Sequence, residues 1–172
     1  MASPFDPWLK AYRIADRRHP IFDSMGSFLQ GGRWNSPGQH VIYGAETYAG
    51  AQLEILVHAN IGRLPKNAAW VEILIPRDVR VEEVTEDTVP DWHTPSLFAS
   101  RTFGDAWLKE KRSAAIFVPS LVARGVERNM LFNPRHPDFA RMAVSEPRDV
   151  LWHPELHARA KPSHKTGRQA GH

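Results

Sequence analysis

The stretch 31–60 constrains the fold more than any other part of the chain, because it joins a glycine-rich loop, a turn, a strand and a helix. Gly31 and Gly32 allow close backbone approach or a positive φ, and Asn35-Ser36-Pro37-Gly38 is a strong turn signal. An apolar run predicts a strand at 41–43, and helical spacing predicts a helix at 46–60. The predicted apolar face of that helix consists of Ala49, Leu53, Leu56 and Val57.

Short apolar runs alternate with polar or helical segments in the rest of the chain. Strands are predicted at 8–14, 69–75, 79–84, 114–118 and 129–132, helices at 97–111 and 138–141, and loops at 15–32 and 85–95. In the helix at 97–111, Phe98, Trp107 and Leu108 are expected to face inward, and Gly104 is an internal weakness. This pattern predicts an α/β (α+β) fold, one compact domain of short mixed strands and a few helices.

The charge of this chain of 172 residues is concentrated at one end. The segment 157–172 holds four of the 22 basic residues and none of the 19 acidic ones, which leaves the body with a net charge of −1. We therefore predict a domain at 1–156 and a basic, disordered tail at 157–172, or alternatively a weak anion-binding arm. The body shows no electrostatic sign of nucleic-acid binding.

Other features of the composition bear on the compartment. The chain has no cysteine, so a reducing environment suits it. The N-terminal residues lack the basic and apolar blocks of a signal peptide, and no apolar run approaches the roughly 18 residues of a membrane span. We therefore expect a soluble cytoplasmic protein with no membrane association.

Arg33 and Glu54 are the strongest candidates for site chemistry. Arg33 follows two glycines, and its planar fork suits a phosphate or carboxylate, although it could also be an ordinary loop arginine. Glu54 lies beside an apolar helical face, where a carboxylate is costly unless it is paired or exposed. Together they suggest a site for an anionic ligand, with cation-forming chemistry next to it.

Tyr43 and Ser120 are weaker candidates when each is taken alone. Tyr43 ends a predicted strand, where a ring usually packs but could also stack on a heterocycle or donate its hydroxyl. Ser120 follows an apolar strand and a proline, where serine is most often a turn or cap residue. No histidine–acid arrangement or G-x-S-x-G elbow marks it as a hydrolase nucleophile.

The sequence offers no convincing metal or nucleotide-loop motif. His153 and His157 have i, i+4 spacing, but a third ligand is not evident. A Walker loop and a Rossmann glycine fingerprint are both missing. We therefore predict no metal site.

In combination these residues resemble the RES domain, a family named for an arginine, a glutamate and a serine. Arg33, Glu54 and Ser120 match those three positions in order. The resemblance covers residues 8–156 and extends to Tyr12-Arg13-Ile14, Gly31-Gly32-Arg33-Trp34-Asn35-Ser36-Pro37-Gly38, Val41-Ile42-Tyr43, Gly104-Asp105-Ala106-Trp107, Val118-Pro119-Ser120 and Asn133-Pro134-Arg135-His136-Pro137-Asp138-Phe139.

The resemblance implies a core similar to that of ADP-ribosyltransferases, with NAD as the substrate. It implies the toxin of a bacterial toxin–antitoxin pair, which arrests growth by NAD depletion or by ADP-ribosyl-type transfer. The implied partner is an antitoxin with an Xre-like DNA-binding domain, whose C-terminal part would block the NAD pocket. Family members also suggest self-association within a larger complex.

Roles for individual residues follow from this resemblance and from the chemistry of NAD. We expect Glu54 to hydrogen-bond the nicotinamide-side ribose and to stabilise an oxocarbenium-like transition state, and Arg33 to hold the diphosphate or the ribose-phosphate edge. Tyr43 is expected to pack against the nicotinamide or orient its ribose, and Ser120 to hydrogen-bond that ribose or the carboxamide. Among further NAD contacts, Arg13 is expected to hold a second phosphate and Tyr12 to shape the wall, and Asn133 is also expected to contact NAD.

The sequence alone leaves open both the acceptor of an enzymatic reaction and whether the protein is an enzyme. The acceptor of the ADP-ribosyl group could be water or inorganic phosphate, or a specific protein that the enzyme modifies. A noncatalytic module would bind a nucleotide without releasing nicotinamide. A nucleic-acid-binding protein is disfavoured, because only the tail is basic.

Overall fold

The structure, a computed structural model, describes residues 6–59 and 64–157. Its strands are β1 (Trp8–Asp16), β2 (Ile42–Ala45), β3 (Ala68–Pro76), β4 (Val81–Glu83), β5 (Ala115–Pro119), β6 (Arg128–Phe132), β7 (Ala143–Val144) and β8 (Arg148–Asp149). Its helices are α1 (Met25–Gln30), α2 (Tyr48–His58) and α3 (Phe98–Glu110), with 3₁₀ segments at Pro137–Arg141 and Pro154–His157. The strands form one eight-stranded sheet in the order β4-β5-β6-β2-β1-β3-β7, with β8 also paired to β3. The β4–β5 pair is parallel, and the other described pairs are antiparallel.

This architecture confirms the predicted α/β fold of short mixed strands and a few helices. Each predicted strand and helix is present, with its ends displaced by a few residues. The segment at 15–32 differs from the expected loop, because it contains α1. The strands β7 and β8 have two residues each, too few to show a hydrophobic period.

Two expectations from the sequence concern the ends of the chain and its surroundings. The predicted tail at 157–172 lies outside the described residues except for His157, so the boundary at residue 156 stays a prediction. Among residues 6–59 and 64–157, no helix combines the length and the apolar character needed to cross a membrane.

The sheet separates two hydrophobic clusters, because side chains alternate between its faces. On the first face, Phe117, Met130 and Phe132 join the apolar residues of β3, and the rings of Phe22 and Phe139 pack over them. On the second face, a separate cluster contains Ile116, Val118 and Leu131 together with Trp34, Trp92 and Trp107. Since Asn129 has the same strand parity as Leu131, its side chain points to the second face.

Helix α2 begins after Thr47, whose hydroxyl accepts a hydrogen bond from the amide of Gly50 at 2.9 Å. The predicted apolar face of this helix does not pack into the core, because Leu53 and Val57 are 43% and 39% exposed, Ala49 is also exposed and Leu56 is only half-buried. The helix packs against β1 and β2 instead through a face that contains buried Ala51. Such close packing selects small residues, so the apolar stripe does not mark the core side.

Helix α3 packs on the second face of the sheet through Trp107 and Leu108, as predicted. The indole of Trp107 donates to the hydroxyl of Ser113 at 2.8 Å, which satisfies its buried N–H. Phe98 is 76% exposed, so its predicted inward orientation is wrong. Gly104 is not a weakness of this helix, because a Cβ placed on it would overlap the carbonyl oxygen of Trp34.

Candidate active site

A cavity of about 610 Å³ lies on the second face of the sheet, bordered by α2 and the glycine-rich loop. Its volume falls within the usual range for small-molecule sites. Five of the seven predicted site residues line it, namely Tyr12, Arg13, Arg33, Tyr43 and Glu54. The sheet and α2 thus bring residues that are distant in sequence to one concave surface.

Glu54 presents a carboxylate that is held through one of its two oxygens. Its Oε1 accepts a hydrogen bond from the Ser120 hydroxyl at 2.8 Å and another from the Asn129 amide at 2.7 Å. Within the described residues, Oε2 accepts no hydrogen bond from a side chain or the backbone. Glu54 lies one helical turn after buried Ala51, on the side of α2 that faces the sheet, and its carboxylate is held in direction with one oxygen available.

Ser120 contacts Glu54 through a hydrogen bond and does not itself line the cavity. Its hydroxyl gives its one proton to Glu54 and accepts a hydrogen bond from the amide of Ala123 at 3.1 Å. The turn after β5 places it there, since the amide of Ser120 donates to the carbonyl of Glu127 at 3.0 Å. In the structure the Ser120 donor is used to hold the carboxylate, and the hydrogen bond from Ser120 to the ligand stays a prediction.

Asn129 is a site residue that the sequence analysis missed. It lies on β6 opposite Ala45 of β2, lines the cavity and donates to Glu54. The alternation of side chains along the strand carried a signal, because Asn129 lies on the same face as Leu131 while Met130 and Phe132 take the other face. A polar side chain in a strand whose neighbours are buried on both faces marks a candidate site position.

Arg33 lies in the cavity wall with part of its hydrogen-bonding capacity unused. Its Nη1 donates to the carbonyls of Trp92 at 2.9 Å and Thr94 at 3.1 Å. No carboxylate pairs with it among the described residues, and its Nε and Nη2 groups make no hydrogen bond there. Partial burial lowers the pKa of the guanidinium, which stays charged at neutral pH. The remaining Nε–Nη2 edge has the geometry for bidentate contact with an anion.

Tyr43 fixes the glycine-rich loop with its hydroxyl. That hydroxyl donates to Oδ1 of Asn35 at 2.7 Å and accepts from the amide of Trp34 at 3.0 Å. Burial raises the pKa of Tyr43, so it stays protonated. Gly32 has no room for a side chain, because a Cβ there would overlap the hydroxyl of Tyr43. The ring of Tyr43 is therefore the part that faces the cavity.

Arg13 and Tyr12 occupy the region where β1 and β2 separate, since these strands pair at Tyr12 and Ala45. The Arg13 guanidinium donates to the carbonyls of Tyr43 at 2.5 Å and Ile21 at 2.6 Å. Burial lowers the pKa of Arg13 to about 10, which leaves it charged at neutral pH. In the structure Arg13 joins β1 to β2 through Tyr43, and to the loop that follows β1 through Ile21. The predicted phosphate contact stays a prediction.

Tyr12 forms part of an aromatic group beside the cavity. Its ring meets the rings of Tyr48 and Trp70 at centroid distances of 6.2 and 6.3 Å, and its hydroxyl donates to Glu72 at 3.3 Å. Desolvation raises the pKa of the Tyr12 hydroxyl. The wall-shaping role predicted for Tyr12 agrees with this position.

Asn133 does not belong to this site, which corrects the expected NAD contact. Its side chain is 1% exposed, donates to the carbonyl of Leu108 at 3.2 Å and accepts from the amide of Arg135 at 3.0 Å. These bonds join the end of β6 to the end of α3. The asparagine caps a turn, as asparagine commonly does.

The described part of the chain contains no group of three or more histidine, aspartate or glutamate side chains placed to hold a metal ion. The cavity lining includes the Glu54 carboxylate, the guanidinium groups of Arg13 and Arg33, the imidazole of His58 and aromatic rings.

The fold is that of a known class of single-domain α/β proteins. It is similar to a chain in the crystal structure of the M. tuberculosis MbcT–MbcA toxin–antitoxin complex, with a TM-score of 0.67 and 18% sequence identity, over 83% of this chain and 84% of that one. A model of the RES domain family matches residues 10–153. The chain belongs to the RES domain family.

Named relatives support this assignment over most of their length. The chain is 37% identical over 135 residues to the Prs ADP-ribosylating toxin of Sphingobium sp. (strain YBL2). The aligned residues cover 76% of this chain and 83% of that protein. It is 33% identical over 132 residues to Toxin Res of Photorhabdus laumondii, covering 74% and 83%. It is also 30% identical to Toxin Res of Yersinia enterocolitica, covering 84% and 97%.

Proposed function

We propose that this protein is the toxin of a toxin–antitoxin pair and that it cleaves NAD at the nicotinamide–ribose bond, arresting growth. Its relatives are named as toxins, and one of them is named as ADP-ribosylating. NAD is the usual donor of an ADP-ribosyl group, so that name supports NAD as the substrate. The toxin would act in the cytoplasm, where NAD is abundant.

The observation that carries this proposal is the pairing of two groups on one cavity. Glu54 offers a carboxylate oxygen that no described residue binds, while its other oxygen is fixed by two donors. Arg33 offers a guanidinium edge that lacks an acidic partner among the described residues. A ligand with a cationic glycosidic centre and a diphosphate satisfies both groups at once, and NAD is such a ligand.

The reaction needs no general acid. The C1′–N bond breaks, its electron pair goes to the ring nitrogen, and neutral nicotinamide leaves. One carboxylate is then sufficient, in contrast to the carboxylate pair of ordinary glycosidases. Glu54 hydrogen-bonds the ribose and stabilises the positive charge that develops on it. An acceptor attacks C1′ and loses its proton.

Other side chains bind and orient the substrate. Arg33 holds the diphosphate, and the ring of Tyr43 packs against the nicotinamide ribose. Tyr12 shapes the wall beside it, and Arg13 contributes a second phosphate contact through its remaining N–H groups. Ser120 and Asn129 fix the direction of the Glu54 carboxylate.

A second candidate function is ADP-ribosylation of a specific protein. The relative that is 37% identical is named for this activity on Prs, which favours a protein acceptor over water or phosphate. The cleavage step is the same in both cases, so the acceptor alone distinguishes them. We further propose a cognate Xre-type antitoxin as the inhibitory partner, with self-association of the toxin inside their complex.

The experiment is nicotinamide release from NAD by purified protein, with and without phosphate, beside the Glu54→Gln variant. We expect release to fall about 10²-fold or more in that variant, since it loses the charge that stabilises the transition state. Glu146→Gln, at an exposed position, is the matched control and should keep the parental rate. Release at the parental rate by folded Glu54→Gln would refute the assignment.

Labelling of a lysate with NAD carrying a tagged adenine, followed by mass spectrometry, separates the two candidates. A modified protein with its modified residue identified supports transferase activity. Nicotinamide release without any labelled protein supports cleavage with water or phosphate as the acceptor.

A further inference from the structure

One turn of α3 holds the glycine-rich loop at three positions. The Arg101 side chain donates through Nε to the carbonyl of Gly32 at 2.9 Å. Asp105 accepts from the amide of Ser36 at 2.9 Å through Oδ1 and from the hydroxyl of Ser36 at 2.6 Å through Oδ2. Between them, Gly104 lies directly beneath the carbonyl of Trp34. The helix thus contacts the loop on both sides of Arg33.

Arg101 and Asp105 do not pair with each other, although their spacing on α3 would allow it. An arginine and an aspartate four residues apart on a helix commonly pair with each other. Here the structure shows no ion pair between these two side chains and directs both at the loop. The cost of lost pairing is offset by three hydrogen bonds to one short segment, two of them to a carboxylate.

Arg33 depends on this arrangement for its direction. Its backbone is fixed on one side by Gly32, bonded to Arg101, and on the other by Trp34, whose amide donates to the hydroxyl of Tyr43. Ser36 closes the turn that follows. A loop held in this way presents the guanidinium without further ordering when a ligand binds, which lowers the entropic cost of binding.

We propose that Asp105 is a positioning residue: through Ser36 it fixes the loop that presents Arg33 to the anionic part of the ligand. This inference rests on the proposed function only for the identity of the ligand. Asp105 itself makes no contact with the substrate, since it does not line the cavity. Its effect on NAD should therefore require Arg33.

The test compares Asp105→Ala, Asp105→Asn and Ser36→Ala for KM, kcat and thermal stability. Asp105→Ala should raise KM for NAD about tenfold and change kcat by less than about threefold. Asp105→Asn should stay within about threefold of the parent, because its amide oxygen can accept from the Ser36 amide while its NH2 group donates to the Ser36 hydroxyl. Ser36→Ala, which removes one bond, serves if Asp105→Ala fails to fold. Asp87→Ala, at an exposed position, is the matched control.

A double variant decides whether Asp105 acts through Arg33. In an Arg33→Ala background, Asp105→Ala should raise KM by less than about twofold, since the group it positions is gone. An equal rise in KM in both backgrounds would overturn the proposal, and so would a KM in Asp105→Ala equal to that of the parent.

Hydrogen exchange separates failure of this proposal from failure of the proposed function. The amide of Ser36 should exchange about tenfold faster in Asp105→Ala than in the parent, because it loses its acceptor. Unchanged exchange at 32–38 overturns the positioning role whatever the ligand is. A parent that neither binds nor cleaves NAD refutes the proposed function, while the exchange result still decides the role of Asp105.

Discussion

Two neutral donors on one carboxylate oxygen set the character of Glu54. The hydroxyl of Ser120 and the amide of Asn129 hold the carboxylate without neutralising it, as an arginine partner would. Its negative charge thus remains available to a cationic centre in the cavity. The proposed stabilisation of the transition state depends on a Glu54 carboxylate that has a fixed direction and no cationic partner among the described residues.

Removal of either donor should lower turnover. We expect Ser120→Ala and Asn129→Ala each to reduce kcat about tenfold, because each removes a hydrogen bond to a charged group. Steady-state nicotinamide release measures this effect. Asn67→Ala is a matched control, because its backbone carbonyl, not its side chain, makes the observed hydrogen bond. An unchanged kcat in both site variants would show that the orientation of Glu54 is irrelevant to the reaction.

The sequence pointed to Arg33 and Glu54, which both line the cavity, but it did not show which groups hold them there. The role of Ser120 needed coordinates, because a hydroxyl after a strand can point at a ligand, a carboxylate or the backbone. Asn133 was misplaced for a related reason: it follows β6, and a turn directs its side chain away from the cavity.

The elements around the cavity differ in how they are held. Helix α3 is anchored by large rings on the sheet and by close contact of Gly104 with Trp34. Helix α2 is held by small residues, with Thr47 capping its first turn. The loop between β1 and β2 depends on both the Tyr43 hydroxyl and α3.

The contact at Gly104 should be sensitive to a single added carbon. Gly104→Ala should lower the free energy of unfolding by roughly 1–3 kcal/mol, since the backbone of Trp34 cannot move cheaply. Gly26→Ala is the control, because nothing lies within 4 Å of its added Cβ. That control should be neutral or stabilising by up to about 1 kcal/mol. Urea unfolding of both variants measures the difference, and equal stability would contradict the close contact.

The orientation of α2 gives a second prediction at this scale. Leu53→Gln and Val57→Gln should each change stability by less than about 0.5 kcal/mol, because both side chains are exposed. Ala51→Leu should cost roughly 1–3 kcal/mol, because Ala51 is 6% exposed on the face of α2 that packs against β1 and β2. Thermal unfolding compares the three, and strong destabilisation by the glutamine variants would restore the orientation predicted from the sequence.

Secondary structure was predicted correctly from the sequence where the hydrophobic pattern arose from one buried face. The alternation in β3 reports one buried face, and its predicted strand matches the structure within two residues at each end. In α2 the apolar stripe and the packed face are different, because close approach to β1 and β2 requires small residues. The short α1 has only six residues, none of them buried, and it contains Gly26 and Ser27, which are weak helix formers.

The proposed NAD binding should stabilise the whole molecule, since the cavity exists in the folded protein and not in the unfolded chain. In the Glu54→Gln variant, which should bind NAD without cleaving it, NAD at about 100 times its Kd should add about 2.7 kcal/mol. For a protein of this size, that gain corresponds to a rise in Tm of about 5–10 °C.

The same measurement tests Arg33 at the scale of the domain. Adding Arg33→Ala to Glu54→Gln should abolish most of the rise in Tm at equal NAD concentration, because the diphosphate loses its clamp. Arg80→Ala in the same background is the control, since Arg80 is exposed and does not line the cavity. A rise in Tm that persists without Arg33 would remove the anion contact from the proposal.

The two donors that fix Glu54 also set an order of events during synthesis. They follow Glu54 by 66 and 75 residues along the chain, so a ribosome that has translated as far as α3 has made the arginine and the glutamate but neither donor. A nascent or prematurely terminated chain of that length has no assembled site. The proposed catalytic competence would therefore arise only after residue 129 has been made, and translation products that end within α3 would be inactive.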